Sequence, residues 1–273
     1  MAERLPDGPA AAVDRPASGR TSEVIVIASG KGGVGKSNLA LNAGIHLART
    51  GVDTILLDAD HGLANIDLMV NAAPRGAVTR AVMRARLDEL LQPGPHGLRI
   101  ARSPNGPAAR DYVCLARRLA GACQRVLVDC GAGLAPLVTT LALSADRLVL
   151  VTTPEPPAVT DAYATLKLLV ARGLRGPVGL VVNQATADAA ARTHARLSHT
   201  ARTFLGVTVA DYGYVPADAA VVRAVGARRP VAVAAPGCPA DRAFRSVATH
   251  LGARPADRSW SAAWWQRLAR LFL

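Results

Sequence analysis

Short apolar runs dense in β-branched residues recur along this chain, each followed by a longer stretch patterned for a helix. The first is EVIVIAS at 23–29; TILLD at 54–58, RVLVD at 125–129, RLVLVTT at 147–153 and VGLVVN at 178–183 repeat the theme. Each is too short for a helix, and its apolar character is continuous, as in strands buried on both faces. Helical stretches such as SNLALNAGIHLART (37–50) lie between them. That alternation predicts an α/β fold: a doubly wound, mostly parallel sheet with helices on both faces. LRIA (98–101) and TVADYGYV (208–215) are weaker strand candidates, giving seven to eight strands, one domain and no internal repeat.

The two ends fall outside this pattern. Residues 1–21, rich in Pro, Ala, Gly and charge, read as a disordered arm, and with no apolar segment they do not read as a signal peptide. The folded domain is expected over 22–252, then a polar hinge over 253–259 and a C-terminal helix over 260–273, WSAAWWQRLARLFL. All three tryptophans, Trp260, Trp264 and Trp265, fall in this tail. On a helical wheel they share one arc with Leu268, Leu271 and Phe272, while Gln266, Arg267 and Arg270 lie opposite. An aromatic face opposite an arginine face describes a helix lying at an anionic membrane surface. The other reading is a terminal helix packed on the domain. No apolar run approaches the roughly 20 residues needed to span a bilayer.

Composition adds limits. Of 273 residues, 50% are hydrophobic but 4% aromatic, so the core must be built of Ala, Val and Leu. The formal charge of +12 is almost all arginine, since Lys31, Lys36 and Lys167 are the lysines of the chain. Ten arginines between Arg75 and Arg125 face Asp88, Glu89 and Asp111. Two readings stay open: a genome-wide arginine bias, or a surface drawn to the phosphates of nucleic acid or anionic lipid. Cys114, Cys123, Cys130 and Cys238 show no CxxC spacing, which suits a reduced, cytoplasmic protein. The six histidines lack metal-ligand spacing.

The strongest chemical signal is GKGGVGKS at 30–37, between the first apolar run and the first helical stretch. It fits GxxxxGK[ST] in a strand–loop–helix setting. Gly30, Gly32, Gly33 and Gly35, with Val34 among them, let successive backbone N–H groups turn toward a phosphate. The helix that starts near Lys36 and runs through Asn38 adds its positive end. Lys36 would reach the β- and γ-phosphates, and Ser37 would ligate Mg²⁺. The same letters satisfy GxGxxG, with Asp58 about 20 residues on. A dinucleotide site, however, has no use for a lysine and a serine directly after the last glycine.

Carboxylates follow at two strand ends. LLDADHG (56–62) puts Asp58 and Asp60 where ligands of open α/β sheets bind, suited to a Mg²⁺ shell or to positioning water, or else to capping a turn. VLVDCGAG (126–133) has the form of a Walker B element, with Asp129 set to bind Mg²⁺ through water and Cys130 read as a packing residue.

Lys31, the second lysine of the loop, makes GKGGVGKS resemble the KGGxGK[ST] motif of the deviant-Walker (MinD/ParA) ATPases. That family includes septum-site, plasmid-partitioning and nitrogenase-iron-protein ATPases. The resemblance implies a slow, switch-type ATPase using ATP and Mg²⁺, in which Lys31 reaches across an ATP-dependent homodimer to the partner's phosphates. It further implies that Asp60 orients the hydrolytic water, that Asp58 sits near Mg²⁺ in a switch loop, and that Asn183 hydrogen-bonds adenine. Pro216 and Asp218 in YVPAD (214–218) resemble the segment packed on the base, with turn formation or capping as the other reading.

LANIDLM (63–69), VTTPEPPAVTDAYATLKLL (151–169), ARLSHTARTFLGV (195–207) and DCGAG resemble the branch of MinD-like regulators of flagellar number and placement. The resemblance covers roughly 23–251. It implies a membrane-cycling positional ATPase at the inner face of the cell membrane. Flagellar switch-complex proteins or a signal-recognition-type flagellar GTPase are the implied partners. Residues 1–22 lack the DQAxxLR motif by which many of that branch stimulate such a GTPase, so stimulation in that manner is not expected. A septum-site ATPase of cell division and a DNA-bound partitioning ATPase are the alternatives.

Overall fold

The computed structural model describes residues 22–60, 66–72, 86–101 and 109–253, apart from the side chain of Asp88. The N-terminal arm, most of the hinge, and the tail with Trp260, Trp264, Trp265, Leu268, Leu271 and Phe272 lie outside these residues. In chain order the elements are β1 (Glu23–Ser29), α1 (Lys36–Arg49), β2 (Thr54–Ala59), α2 (Ile66–Met69) and α3 (Leu87–Leu90). Next come β3 (Leu91–Pro93), β4 (Arg99–Ala101), α4 (Ala109–Ala120), β5 (Arg125–Ala132), α5 (Pro136–Ser144) and β6 (Arg147–Thr152). The chain continues through α6 (Pro156–Ala171), β7 (Val178–Asn183), α7 (Ala187–Leu205), β8 (Val209–Val215), α8 (Ala219–Gly226), α9 (Val231–Ala234) and α10 (Pro239–Gly252).

The eight strands form one sheet in the order β3-β4-β2-β5-β1-β6-β7-β8. Every neighbouring pair is parallel except β3–β4. The upper end of the expected count therefore holds. β3 has three residues and ends in a proline, too little sequence for a periodic signal.

Period-two alternation divides β1 between two cores. Ile25 and Ile27 enter the one roofed by α1 and α10, with Leu39, Leu41, Phe244 and Leu251. Val24, Val26 and Ala28 enter the opposite one, beneath α4 to α7, with Tyr112, Leu115, Leu141, Leu166 and Leu197. Both are mostly aliphatic, as the composition requires. The helices show their signals locally. α7 starts with Thr186, whose hydroxyl accepts from Ala189 N at 3.3 Å, and stops at Gly206 in the left-handed region.

α1 and α10 are joined by a buried polar contact: His46 Nε2 donates to Asp241 Oδ1 at 2.7 Å. A carboxylate offers no hydrogen there, so the imidazole carries it. At the N-terminal edge of the sheet, Arg147 donates to Glu23 at 2.8 Å and to the carbonyls of His250 at 2.7 Å and Ala253 at 2.8 Å. Arg125 donates to the carbonyls of Leu251 at 3.1 Å and Gly252 at 2.9 Å. Two buried arginines thus satisfy the orphan carbonyls at the end of α10.

Candidate functional site

β1 lies between β5 and β6, and the chain winds outward from it in both directions. This is the switch point at which open α/β sheets bind ligands, beyond the carboxyl ends of the strands. The glycine loop emerges there. Gly35 takes φ 91°, and a Cβ on it would lie 2.1 Å from Asn183 Nδ2. A Cβ on Gly30 would lie 2.3 Å from the backbone of Asp161 in α6. Both positions exclude a side chain for reasons of contact. No side chain caps the start of α1, and no acidic residue occupies its first turn. That leaves an uncompensated positive helix end aimed at the loop's concavity.

Neighbouring elements brace the loop. Asn183 Nδ2 donates to Val34 O at 2.7 Å from the end of β7. Gly133 N donates to Ser29 O at 2.9 Å from the end of β5. Next to Asn183, Gln184 holds a left-handed backbone at φ 55°, a strained conformation typical of ligand sites. Lys36 is buried and Lys31 exposed. Lys31 Nζ rests 3.2 Å from Glu155 Oε2, just before α6, with both side chains largely in solvent.

Asp58 and Asp129 stand directly opposite each other in the β2–β5 register, both nearly sequestered from solvent. Burial is the main cause that pushes Asp129 up to about 7, against the hydrogen bond from Ser37 and the charge of Lys36. The Asp58 carboxyl is pushed to about 6, again chiefly by burial. Its two oxygens accept from Asp60 N at 3.1 Å and Ile66 N at 3.3 Å, bracing both ends of the 61–65 segment. Asp129 Oδ1 is buried with no hydrogen-bond partner.

An orphaned carboxylate oxygen beside a serine hydroxyl, in a site that penalises negative charge, is a place where a hard divalent cation fits. Among the described residues no three His, Cys, Asp or Glu side chains converge to hold a metal alone. A Mg²⁺ ion would therefore take its remaining ligands from water and phosphate, which is how it is commonly held.

A cleft of about 690 Å³ opens beside the loop, lined by Gly32, Gly33, Gly35, Lys36, Ser37, Asn38 and Asp60. These are residues the sequence singled out. Leu68, Met69, Ala132, Val225 and Arg228 complete the lining. Leu68, Met69 and Ala132 lie within the strings LANIDLM and VLVDCGAG, whereas nothing in the local sequence flags Val225 and Arg228, which α8 and its end bring in from a distant part of the chain. Asn183, Pro216 and Asp218 do not line it. Asn183 is spent at least in part on the loop. Pro216 follows β8, half-buried. Asp218 caps α8, accepting from Ala220 N at 2.8 Å and from Ala240 N at 3.0 Å. Those two backbone donors hold its carboxyl below the ordinary range. For Asp218 the geometry thus follows the capping alternative. Cys130 is buried in the core, where its thiol is held well above the ordinary range.

The sequence pattern of the CobQ/CobB/MinD/ParA nucleotide binding domain matches residues 25–231. The antiactivator FleN of Pseudomonas aeruginosa is 32% identical over 245 residues, covering 85% of this chain and 87% of that protein. The flagellum site-determining protein YlxH of Helicobacter pylori is 34% identical over 157 residues, 54% of this chain and 53% of that protein. Among solved structures, the septum site-determining protein MinD of Pyrococcus horikoshii, complexed with Mg-ADP, superposes with a TM-score of 0.69. It is 21% identical, and the match covers 84% of this chain and 96% of that one, a likeness of fold.

Proposed function

The chain belongs to the CobQ/CobB/MinD/ParA family of nucleotide-binding ATPases, and from that premise we propose that it is an ATP-switched regulator of flagellar number or placement. The observation that carries the site assignment is the pairing of an uncapped, glycine-lined helix start with the orphaned Asp129 oxygen. The first fits a polyphosphate and the second a Mg²⁺ ion accompanying it. Resemblance to FleN and YlxH supports the flagellar role. Resemblance in fold to the Pyrococcus MinD supports a septum-site role as the second reading.

In the proposed mechanism the loop N–H groups and the start of α1 bind the phosphates. Lys36 neutralises charge on the β- and γ-groups, and its burial strengthens that interaction. Ser37 and Asp129 would hold Mg²⁺, with Asp58 beside them bracing the switch segment. When bound, the ion screens the charge that grows on the phosphoryl oxygens. Asp60, half-buried on the cleft wall, orients a water for attack on the γ-phosphorus; the P–O bond to ADP breaks and phosphate leaves. Lys31 leaves Glu155 to meet the phosphates bound by a partner copy, so that ATP favours the homodimer. The pair it gives up is exposed and is worth at most about 1 kcal/mol.

No helix among the described residues is long and apolar enough to cross a membrane. Membrane contact is assigned instead to the amphipathic 260–273 segment, marginal as one copy and reinforced by avidity as two. The test is cosedimentation of the full chain with anionic vesicles and with non-specific duplex DNA, in ATP and in ADP. ATP-dependent pelleting with vesicles is expected. ATP-dependent binding to DNA, with vesicles ignored, would move the protein to a partitioning role.

A further inference from the structure

α8 ends in a closure that demands one left-handed residue. Arg229 N donates to Ala224 O and Arg228 N to Val225 O, each at 3.0 Å. This is the double bond pattern of a Schellman motif, and the residue at its turning position is Arg228, at φ 52°. Glycine normally fills that position because it alone escapes the steric penalty. Here Gly226 stands two residues too early to serve, and an arginine bears the strain instead.

The strained position sets Arg228 on the wall of the nucleotide cleft, with Val225 beside it and Lys36, Ser37 and Asn38 across the same space. Its side chain makes no hydrogen bond or ion pair among the described residues, and the residue is exposed. The two loop lysines already face carboxylates in the nucleotide-free protein. Lys31 rests on Glu155, and Lys36 offsets Asp129. Asp60 on the same wall adds negative charge. A bound polyphosphate would bring more. A guanidinium is suited to such a ligand, since its planar fork pairs with two phosphate oxygens at once.

We propose that Arg228 is a further nucleotide-binding residue, its guanidinium contacting the phosphates of the nucleotide held by the 30–37 loop. This rests on the nucleotide-switch reading above. It also explains why a glycine position carries a charged side chain: the strain is retained for the contact it places.

The test exploits that strain. Fluorescent ATP and ADP are titrated into the full-length wild type, Arg228→Gly and Arg228→Asn, and the thermal midpoint of each nucleotide-free protein is measured alongside. Glycine and asparagine both accept the left-handed backbone, so the midpoint should hold or rise. ATP affinity should fall roughly tenfold, the loss of one charge-assisted contact. The fall should be smaller for ADP and should shrink as salt is raised. A residue that merely closes the helix predicts the same midpoint with unchanged affinity, so the affinity decides. Wild-type affinity in both variants overturns the inference and leaves the nucleotide reading standing. A wild type that binds neither nucleotide overturns both.

Discussion

The distance that best isolates one step of hydrolysis lies between Gly131 and Asp60. A methyl group on Gly131 would stand 3.1 Å from Asp60 Oδ1, closer than side chains ordinarily tolerate. Asp60 must yield by a few tenths of an ångström, while the loop, Lys36 and Ser37 are untouched. If Asp60 orients the attacking water, a small displacement is expensive, because misplacing a reacting group by about 1 Å can cost 10²-fold. Gly131→Ala should therefore lower the single-turnover rate of ATP hydrolysis on the order of tenfold and leave nucleotide affinity within about twofold. A variant that hydrolyses at the wild-type rate would remove Asp60 from that role. At this scale the sequence was most legible where chemistry is local. The glycine loop, Lys36, Ser37 and Asp60 meet at one cleft because a few residues of backbone, or one strand end, deliver them there. Arg228 and Val225 were illegible because what brings them in is the seating of α8, through Ala220 and Ala224, in the core it shares with α1, a tertiary fact. Asp218, for which resemblance implied a base contact and capping was the other reading, has its carboxylate accepting at two helix starts.

Between elements, the joint of α1 to α10 has a pH dependence of definite sign. His46 is buried, and desolvation is the main cause that lowers its pKa from 6.5, opposed by Asp241. The folded protein therefore favours the neutral ring. Below 6.5 the unfolded chain takes up a proton that the folded one resists, so this stabilising contribution is complete above that pH and is lost as pH falls. Glu23, Asp58, Asp129 and Asp146, all raised mainly by burial, act in the opposite direction. Wild type must therefore be compared with a variant that keeps those groups. His46→Gln retains a donor for Asp241 and cannot titrate. Between pH 7.5 and pH 5.5 the thermal midpoint of wild type should fall further than that of His46→Gln. A difference of a few degrees is expected, since 1 kcal/mol shifts a domain of this size by about 2–4 °C. Parallel curves would show that the imidazole takes up its proton equally in the folded and unfolded states, which would remove the burial effect. The elements themselves were readable wherever strands are buried on both faces, and β1, β2, β5, β6 and β7 all match their apolar runs. β3 was not, since its three residues form a strand because β4 lies beside them.

Taken whole, the molecule keeps its two ends of business apart. The cleft lies at the carboxyl edge of the sheet, while the last described residues are held at the amino edge by Arg125 and Arg147. A seven-residue strand such as β1 puts roughly 20 Å of packed sheet between them. Segment 254–273 is thus rooted far from the catalytic groups. If the tail is a membrane anchor rather than a packing element, removing residues 260–273 should abolish ATP-dependent pelleting with anionic vesicles. The hydrolysis rate in solution should change less than about twofold. If instead those tryptophans pack on the domain, the truncated protein should lose thermal stability, because removing a large buried aromatic typically costs about 3–5 kcal/mol. The two roles separate on one pair of measurements. Lost vesicle binding at constant midpoint assigns the tail to the membrane, whereas a lowered midpoint assigns it to the fold. The clamp offers an independent check on the same geometry. Arg147→Met should take from Glu23 one of its two arginine partners and leave the carbonyls of His250 and Ala253 without their donor. It should lower stability by several kcal/mol while the affinity for nucleotide, set at the opposite edge, stays where it was.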